Sequence, residues 1–195
     1  MSKLNTPNTL SLIRVLLVPV FMASALFMQN AAVWGRIAPA ILFALASFTD
    51  FLDGKIARKY NLVTDFGKFI DPLADKFMVF GALVTILVID ARIAPVFVWV
   101  AAIVMLRELA ITSLRLVVAG KSGKVIAASF FGKMKTVTQI AAVLLILLDP
   151  LFSSFCPFLE NRLISYVAMG LMAITTVASG IDYMRAYMPL VDTNK

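Results

Sequence analysis

The chain holds 195 residues, of which 61% are hydrophobic and 15% charged, against roughly 45–50% apolar and about 25% charged in an ordinary soluble domain. That composition excludes a water-soluble globule, and at about 20 apolar residues per helical span the length suits one membrane domain of about six or seven helices. Lys and Arg number 18 against 11 Asp and Glu, a net charge of +7. In so apolar a chain this excess fits positive-inside topology or an anionic substrate, and no nucleic-acid partner is expected. The chain has no His and a single Cys, Cys156, which excludes imidazole chemistry, an internal disulfide and a Cys-cluster metal site. Acid–base work, if any, falls to carboxylates and lysines.

Apolar runs follow one another at Val15–Met28, Ile37–Thr49, Phe77–Ile89, Ala94–Leu106, Thr136–Leu148 and Leu163–Ile181. The first, preceded by Lys3, has the look of a signal peptide, but Arg14 and the five later runs argue for a retained first span. The reading is therefore all-α: a polytopic membrane protein with six transmembrane helices, one domain over residues 1–195, with no internal repeat or low-complexity tract. Arg36, Arg92 and Arg162 fall on one set of connectors and the remaining Lys and Arg on the other, which includes both ends of the chain. The positive-inside rule then puts both termini in the cytoplasm.

Four of these runs hold about 13 residues, about 20 Å of helix, whereas the hydrocarbon core is about 30 Å thick. Each must be lengthened, and the short outer connectors offer little material for it. The extension is expected on the inner side, where Asp50, Asp53, Arg58, Asp71, Asp75, Arg107, Arg115, Lys133 and Lys135 lie. Lysines and arginines there can snorkel to the headgroups; the short aspartates cannot. They must face a polar cavity or one another at the depth of the cytoplasmic leaflet.

The segment from Asp50 to Asp75 carries the densest chemistry. Asp50 and Asp53 are i,i+3 neighbours on a helix, and Asp71 and Asp75 are i,i+4 neighbours. A short connector would make the two helices antiparallel neighbours with the pairs converging. Four carboxylates without His or Cys suit hard, oxygen-seeking cations, so Mg²⁺ or Mn²⁺, one ion or two, is the expected cofactor. Gly54, Ala57 and Gly67 leave the backbone bare where a bulky ligand can approach, although small residues at such spacing also serve close helix packing. Arg58 offers a planar fork for phosphate oxygens. Pro72 either starts a helix, with Asp71 as its cap, or kinks one begun near Asp65; only the second cleanly puts Asp71 and Asp75 on one face, and it is the version expected.

The pattern D-x-x-D-G-x-x-A-R, eight residues, G-x-x-x-D-x-x-x-D resembles the signature of the CDP-alcohol phosphatidyltransferase family at every defining position between Asp50 and Asp75. The resemblance implies six membrane helices, cytoplasmic termini, a homodimer and residence in a bacterial plasma membrane. It implies Asp50, Asp53, Asp71 and Asp75 as metal ligands, with Asp75 also the general base. Gly54, Ala57 and Arg58 would hold the CDP part of CDP-diacylglycerol, with Gly67 close by, Thr64 a weaker candidate for a phosphate contact, and Asn8 packed beside the nucleotide. The implied chemistry is metal-assisted, in-line attack of an alcohol on the lipid-side phosphorus, with CMP leaving.

The acceptor must be read from the later helices. Arg107, Arg115, Lys133 and Lys135, with Thr136, Thr138 and Gln139 beside them, make a cation cluster suited to an anionic phosphate; contact with anionic lipid is the plainer alternative. Residues Asn5 to Leu10, the R-E-x6-R stretch and G-K-x-K-T-x-x-Q resemble the branch of the family whose acceptor is glycerol 3-phosphate. That branch implies Arg115, Lys133 and Lys135 for the acceptor phosphate, with Arg107 and Lys59 as helpers, and Glu108 paired with a nearby arginine. Two rival readings stand beside it: the same chemistry with inositol phosphate or serine, and a divalent-cation transporter with the aspartates as its filter. The transporter needs polar groups through the whole membrane depth, whereas here they cluster on one side.

Overall fold

The structure, a computed structural model, describes residues 6–31, 33–60, 64–122, 130–159 and 161–191. Six long helices account for most of them: α1 (Thr6–Met28), α2 (Ile37–Tyr60), α3 (Asp65–Ile89), α4 (Ala94–Ser122), α5 (Phe130–Phe155) and α6 (Leu163–Tyr187). No strand occurs among the described residues. Every helix holds a stretch long and apolar enough to cross a membrane, and large apolar side chains such as Leu16, Phe27, Trp99, Leu106, Leu116 and Ile174 stand exposed on the outside of the bundle. An exposed apolar surface of that extent belongs in lipid, not water. The protein is an integral membrane protein.

The short apolar runs are completed largely as expected. Helix α2 continues past Thr49 to Tyr60, α3 begins at Asp65 well before Phe77, and α4 runs past Leu106 to Ser122, all toward the carboxylate-bearing end. Helix α5 differs: it also extends at the opposite end, through Asp149 and Pro150 to Phe155. Buried Asp149 anchors that extra turn, its carbonyl accepting from the Ser153 hydroxyl at 2.9 Å and its carboxylate from Ser165 of α6 at 2.5 Å. Prolines inside α1, α3 and α5 (Pro19, Pro72 and Pro150) are tolerated, as is usual where neighbouring helices re-satisfy the freed backbone.

Packing departs from simple adjacency in one respect. Helices α2 and α3 make little direct contact among the described residues; α1 lies between them and packs closely on both. Gly81 of α3 makes the approach possible, since a Cβ there would meet Val18 of α1 at 2.8 Å. Helix α5 pairs with α6, and α4 packs on α6 and α3. The apolar core gathers Val18, Phe21, Phe43, Leu83, Ile86, Phe97, Ile146, Leu147, Met169 and Met172. A smaller cluster of Ile111, Leu114, Val118 and Tyr183 ties α4 to the last turns of α6. Between these clusters the carboxylate end of the bundle stays open.

Candidate active site

The N-terminal half of the site is ordered by α1. Thr64 caps α3, its hydroxyl accepting from the Gly67 N–H at 3.0 Å and donating to Asn8 Oδ1 at 3.0 Å. Such a cap fixes where the helix starts. Helix α3 therefore begins at Asp65, not at Pro72, and carries Asp71 and Asp75 on one continuous helix. Gly67 is where α1 comes closest: a Cβ there would stand 2.9 Å from Asn8 Oδ1 and 3.3 Å from Thr64 Oγ1, so only glycine leaves room for the contact.

Asn8, Ser11 and Arg14 recur every three residues along one face of α1, and all three are buried. Ser11 donates to Asp71 Oδ1 at 2.5 Å. The Nη1 of Arg14 stands 2.8 Å from Asp50 Oδ1 and 2.8 Å from Asp75 Oδ1, one donor group serving two acceptors with its two protons. Arg14 has no exposed side-chain surface, whereas the side chains of Asp50 and Asp75 are 34% and 51% exposed. The guanidinium thus backs the carboxylates from the protein side and leaves their other faces to the cavity. Sequence reasoning used Arg14 only as an argument against a signal peptide and did not single out Ser11. The signal that could have found them is the i, i+3, i+6 spacing of polar residues in an otherwise apolar first helix.

Asp53, Gly54, Ala57, Arg58 and Lys59 lie on α2 beyond Asp50, and their side chains fall outside the described residues. Among the described residues no group of three His, Cys, Asp or Glu is assembled as a metal site.

The basic half of the site comes from α4, α5 and α6. Lys135 is buried and paired with Glu108, while Arg107 stands 3.2 Å from the same Glu108 oxygen. Glu108 therefore has two partners, a lysine as well as the expected arginine. Arg107 also donates to Ser179 Oγ of α6 at 2.5 Å, and Arg115 donates to the Tyr183 hydroxyl at 2.6 Å. Lys133 is exposed at the start of α5. Two buried nitrogens here, Arg107 Nε and Gln139 Nε2, make no hydrogen bond among the described residues. Buried donors are seldom left so, and both side chains border an open cavity.

That cavity, about 930 Å³, joins the two halves: it is lined by Asp50, Asp71, Asp75 and Lys76 from α2 and α3 and by Arg107, Glu108, Arg115, Lys133, Lys135 and Gln139 from α4 and α5. All seven predicted site residues named in that wall, drawn from four helices and far apart in sequence, are brought to one space. Asn8, Thr64 and Gly67 stand behind the carboxylates as packing and capping groups. An open volume lined by carboxylates from α2 and α3 and by cations from α4 and α5 can hold a cation and a phosphate-bearing molecule side by side.

The model of the CDP-alcohol phosphatidyltransferase family matches residues 4–179. The chain is 43% identical to a CDP-diacylglycerol–glycerol-3-phosphate 3-phosphatidyltransferase of Bacillus subtilis, over 92% of this chain and 93% of the relative. Proteins of the same name from Shigella flexneri and Rickettsia felis are 35% and 33% identical, each over 93% of this chain and 94% of the relative. A match of this extent to a transferase family sets aside the cation-transporter reading of the aspartates. The chain belongs to the CDP-alcohol phosphatidyltransferase family.

Proposed function

We propose that this protein is a phosphatidylglycerophosphate synthase, transferring the phosphatidyl group of CDP-diacylglycerol to glycerol 3-phosphate with release of CMP. The relatives' names and the family match support the reaction. The observation that carries the site assignment is a cavity lined both by Asp50, Asp71 and Asp75 of α2 and α3 and by the cations of α4 and α5.

Asp50, Asp53, Asp71 and Asp75 are the residues to hold one or two Mg²⁺ or Mn²⁺ ions. The donor set is all oxygen, as those cations prefer, and a positive group already sits between Asp50 and Asp75 in the form of Arg14. Bound there, the metal supplies charge neutralisation for the diphosphate and for the departing CMP. Asp75, half exposed, takes the proton of the acceptor hydroxyl as its oxygen forms a bond to the lipid-side phosphorus and the bond from that phosphorus to CMP breaks. Ser11 and Arg14 hold Asp71, Asp50 and Asp75 in place from behind, so little reorganisation is needed at the moment of reaction. Gly54, Ala57 and Arg58 form the CDP side, and Gly67, close by, lets Asn8 and Thr64 brace it through the α1–α3 contact.

Arg107, Arg115, Lys133 and Lys135 bind the acceptor phosphate, Lys59 assists from α2, and Gln139 offers its amide protons to the same ligand. Glu108 reduces the net positive charge and orients Lys135 rather than joining the chemistry. The carboxylate end faces the cytoplasm, where glycerol 3-phosphate is soluble, and both termini lie there; the protein sits in a bacterial plasma membrane and works as a homodimer.

The test is CMP release by detergent-purified protein given CDP-diacylglycerol with glycerol 3-phosphate, inositol phosphate or serine. Release with glycerol 3-phosphate alone, abolished by EDTA and restored by Mg²⁺ or Mn²⁺, is the expected result. Release that persists unchanged in EDTA overturns the metal site, and turnover with a different acceptor overturns the basic pocket.

A further inference from the structure

Tyr183 has no counterpart in the chemistry described so far and lies beyond the residues that the family model matches. It is 1% exposed yet contributes to the cavity wall. Its hydroxyl accepts from Arg115 Nη2 at 2.6 Å. Its ring lies under both arginines of α4: the guanidinium carbon of Arg107 is 5.5 Å from the ring centroid and that of Arg115 is 5.0 Å away. One turn earlier on α6, Ser179 takes a hydrogen bond from Arg107, and the Tyr187 ring stacks on Tyr183 at 5.9 Å.

Two guanidinium groups about two helical turns apart on α4 repel each other, and the contacts of Arg107 with Glu108 and Ser179 do not themselves reach Arg115. An electron-rich ring face attracts both, and the phenol oxygen fixes the edge of one. The packing of Ile111, Leu114 and Val118 around Tyr183 holds the ring itself still. We infer that Tyr183 is a positioning residue that gathers Arg107 and Arg115 into one paired site for the doubly charged phosphate of the acceptor, and so favours an anionic over a neutral alcohol. This rests on the reading of Arg107 and Arg115 as acceptor-phosphate ligands.

The experiment is a double-mutant cycle of Tyr183→Phe and Arg115→Ala, with Tyr183→Leu to remove the ring. The readouts are KM for glycerol 3-phosphate, KM for CDP-diacylglycerol, kcat, and competitive inhibition by inorganic phosphate. Tyr183→Phe is expected to raise KM for glycerol 3-phosphate about three- to tenfold, the scale of one hydrogen bond, and to weaken phosphate inhibition in parallel. Tyr183→Leu raises both further, KM for CDP-diacylglycerol stays within about twofold, and the effects of Tyr183→Phe and Arg115→Ala are non-additive. If Arg115→Ala raises KM while Tyr183→Phe does not, or their effects simply add, Tyr183 is only a packing residue and the inference falls. If Arg115→Ala leaves KM unchanged, the acceptor pocket itself is misread and the inference falls with it.

Discussion

At one end of the bundle Arg14 joins Asp50 and Asp75 across α1, α2 and α3; at the other, Arg162 stands 3.0 Å from Asp90 and 3.8 Å from Asp149 across α3, α5 and α6. The chemical groups are the same, and the difference lies in which partner is sealed. Arg14 is wholly buried and its carboxylates are open to the cavity, whereas Asp90 and Asp149 are 2% and 0% exposed and it is the arginine that reaches the surface. Arg36 completes the second cluster, donating to the Ile89 carbonyl at 2.9 Å. Arg162 sits there with a left-handed backbone, φ 58 and ψ 32, a conformation that costs about 1–2 kcal/mol for an L-residue and that its two acids hold in place. Closed acids can only hold helices together. Open ones, backed by a buried cation, can also bind a metal and take up a proton.

The largest expected effect tests the open end. Asp75→Asn keeps the shape of the side chain and still accepts from Arg14, but has no basic oxygen for the acceptor proton. Turnover is expected to fall by about 10²–10⁴-fold, the range of general-base contributions, with thermal stability held or raised because a partly exposed negative charge is removed from a crowded set. Retained CMP release by Asp75→Asn would show that the open end does not work through this carboxylate.

The matching change at the closed end is Asp149→Leu. It removes the acceptor of Ser165 and one of the two acids beside Arg162. Breaking a buried pair costs about 3–5 kcal/mol, and at about 2–4 °C per kcal/mol for a chain of this size the Tm should fall by roughly 10 °C. The protein that remains folded should have kcat and both KM values within about twofold of the parent. A stable variant that loses turnover instead would mean that the two ends are coupled, and the contrast between them would fail.

Lys133→Ala is expected to do less than either. The residue is exposed on the cavity wall, so its loss should leave Tm unmoved and raise KM for glycerol 3-phosphate about tenfold, equivalent to about 1.4 kcal/mol, with kcat little altered. Steady-state kinetics with varied glycerol 3-phosphate decide it; an unchanged KM would reduce Lys133 to a lipid-facing helix end.

How much of this was legible in the sequence follows from what sequence periodicity can carry. The six helices, their extension toward the aspartates and the helical spacing of Asp71 and Asp75 all follow from local rules: span length, hydropathy and i,i+4 geometry. The wedging of α1 between α2 and α3 does not, because it depends on which faces meet in three dimensions. That is why the sequence gives Arg14 no role beyond arguing for a retained first span and does not mark Ser11, and why it makes α2 and α3 neighbours. Tyr183 was invisible for the same reason. A tyrosine near the end of an apolar helix is common, and only its position under two arginines of another helix gives it a role. The cluster of Asp90, Asp149, Arg36 and Arg162 was half legible: the arginines marked one side of the membrane, but nothing local paired them with acids.

Thr64 makes the smallest and sharpest test, because a single hydroxyl has a structural and a functional reading that separate cleanly. Read from the sequence, it is a candidate phosphate contact; in the structure it accepts from Gly67 N and donates to Asn8, tying the start of α3 to α1. If the cap is its main work, Thr64→Ala costs about 1 kcal/mol, a fall in Tm of about 2–4 °C. KM for CDP-diacylglycerol then rises only about two- to threefold through the slackened carboxylate wall, by analogy with a fraction of one hydrogen bond. Thr64→Ser keeps the hydroxyl and should restore both values. A direct phosphate contact predicts the reverse weighting, with KM for CDP-diacylglycerol rising tenfold or more, the scale of a hydrogen bond to a charged group, and Tm hardly moving. Thermal melts and substrate titrations on the same two variants decide whether the open end extends back to the cap or stops at the carboxylates.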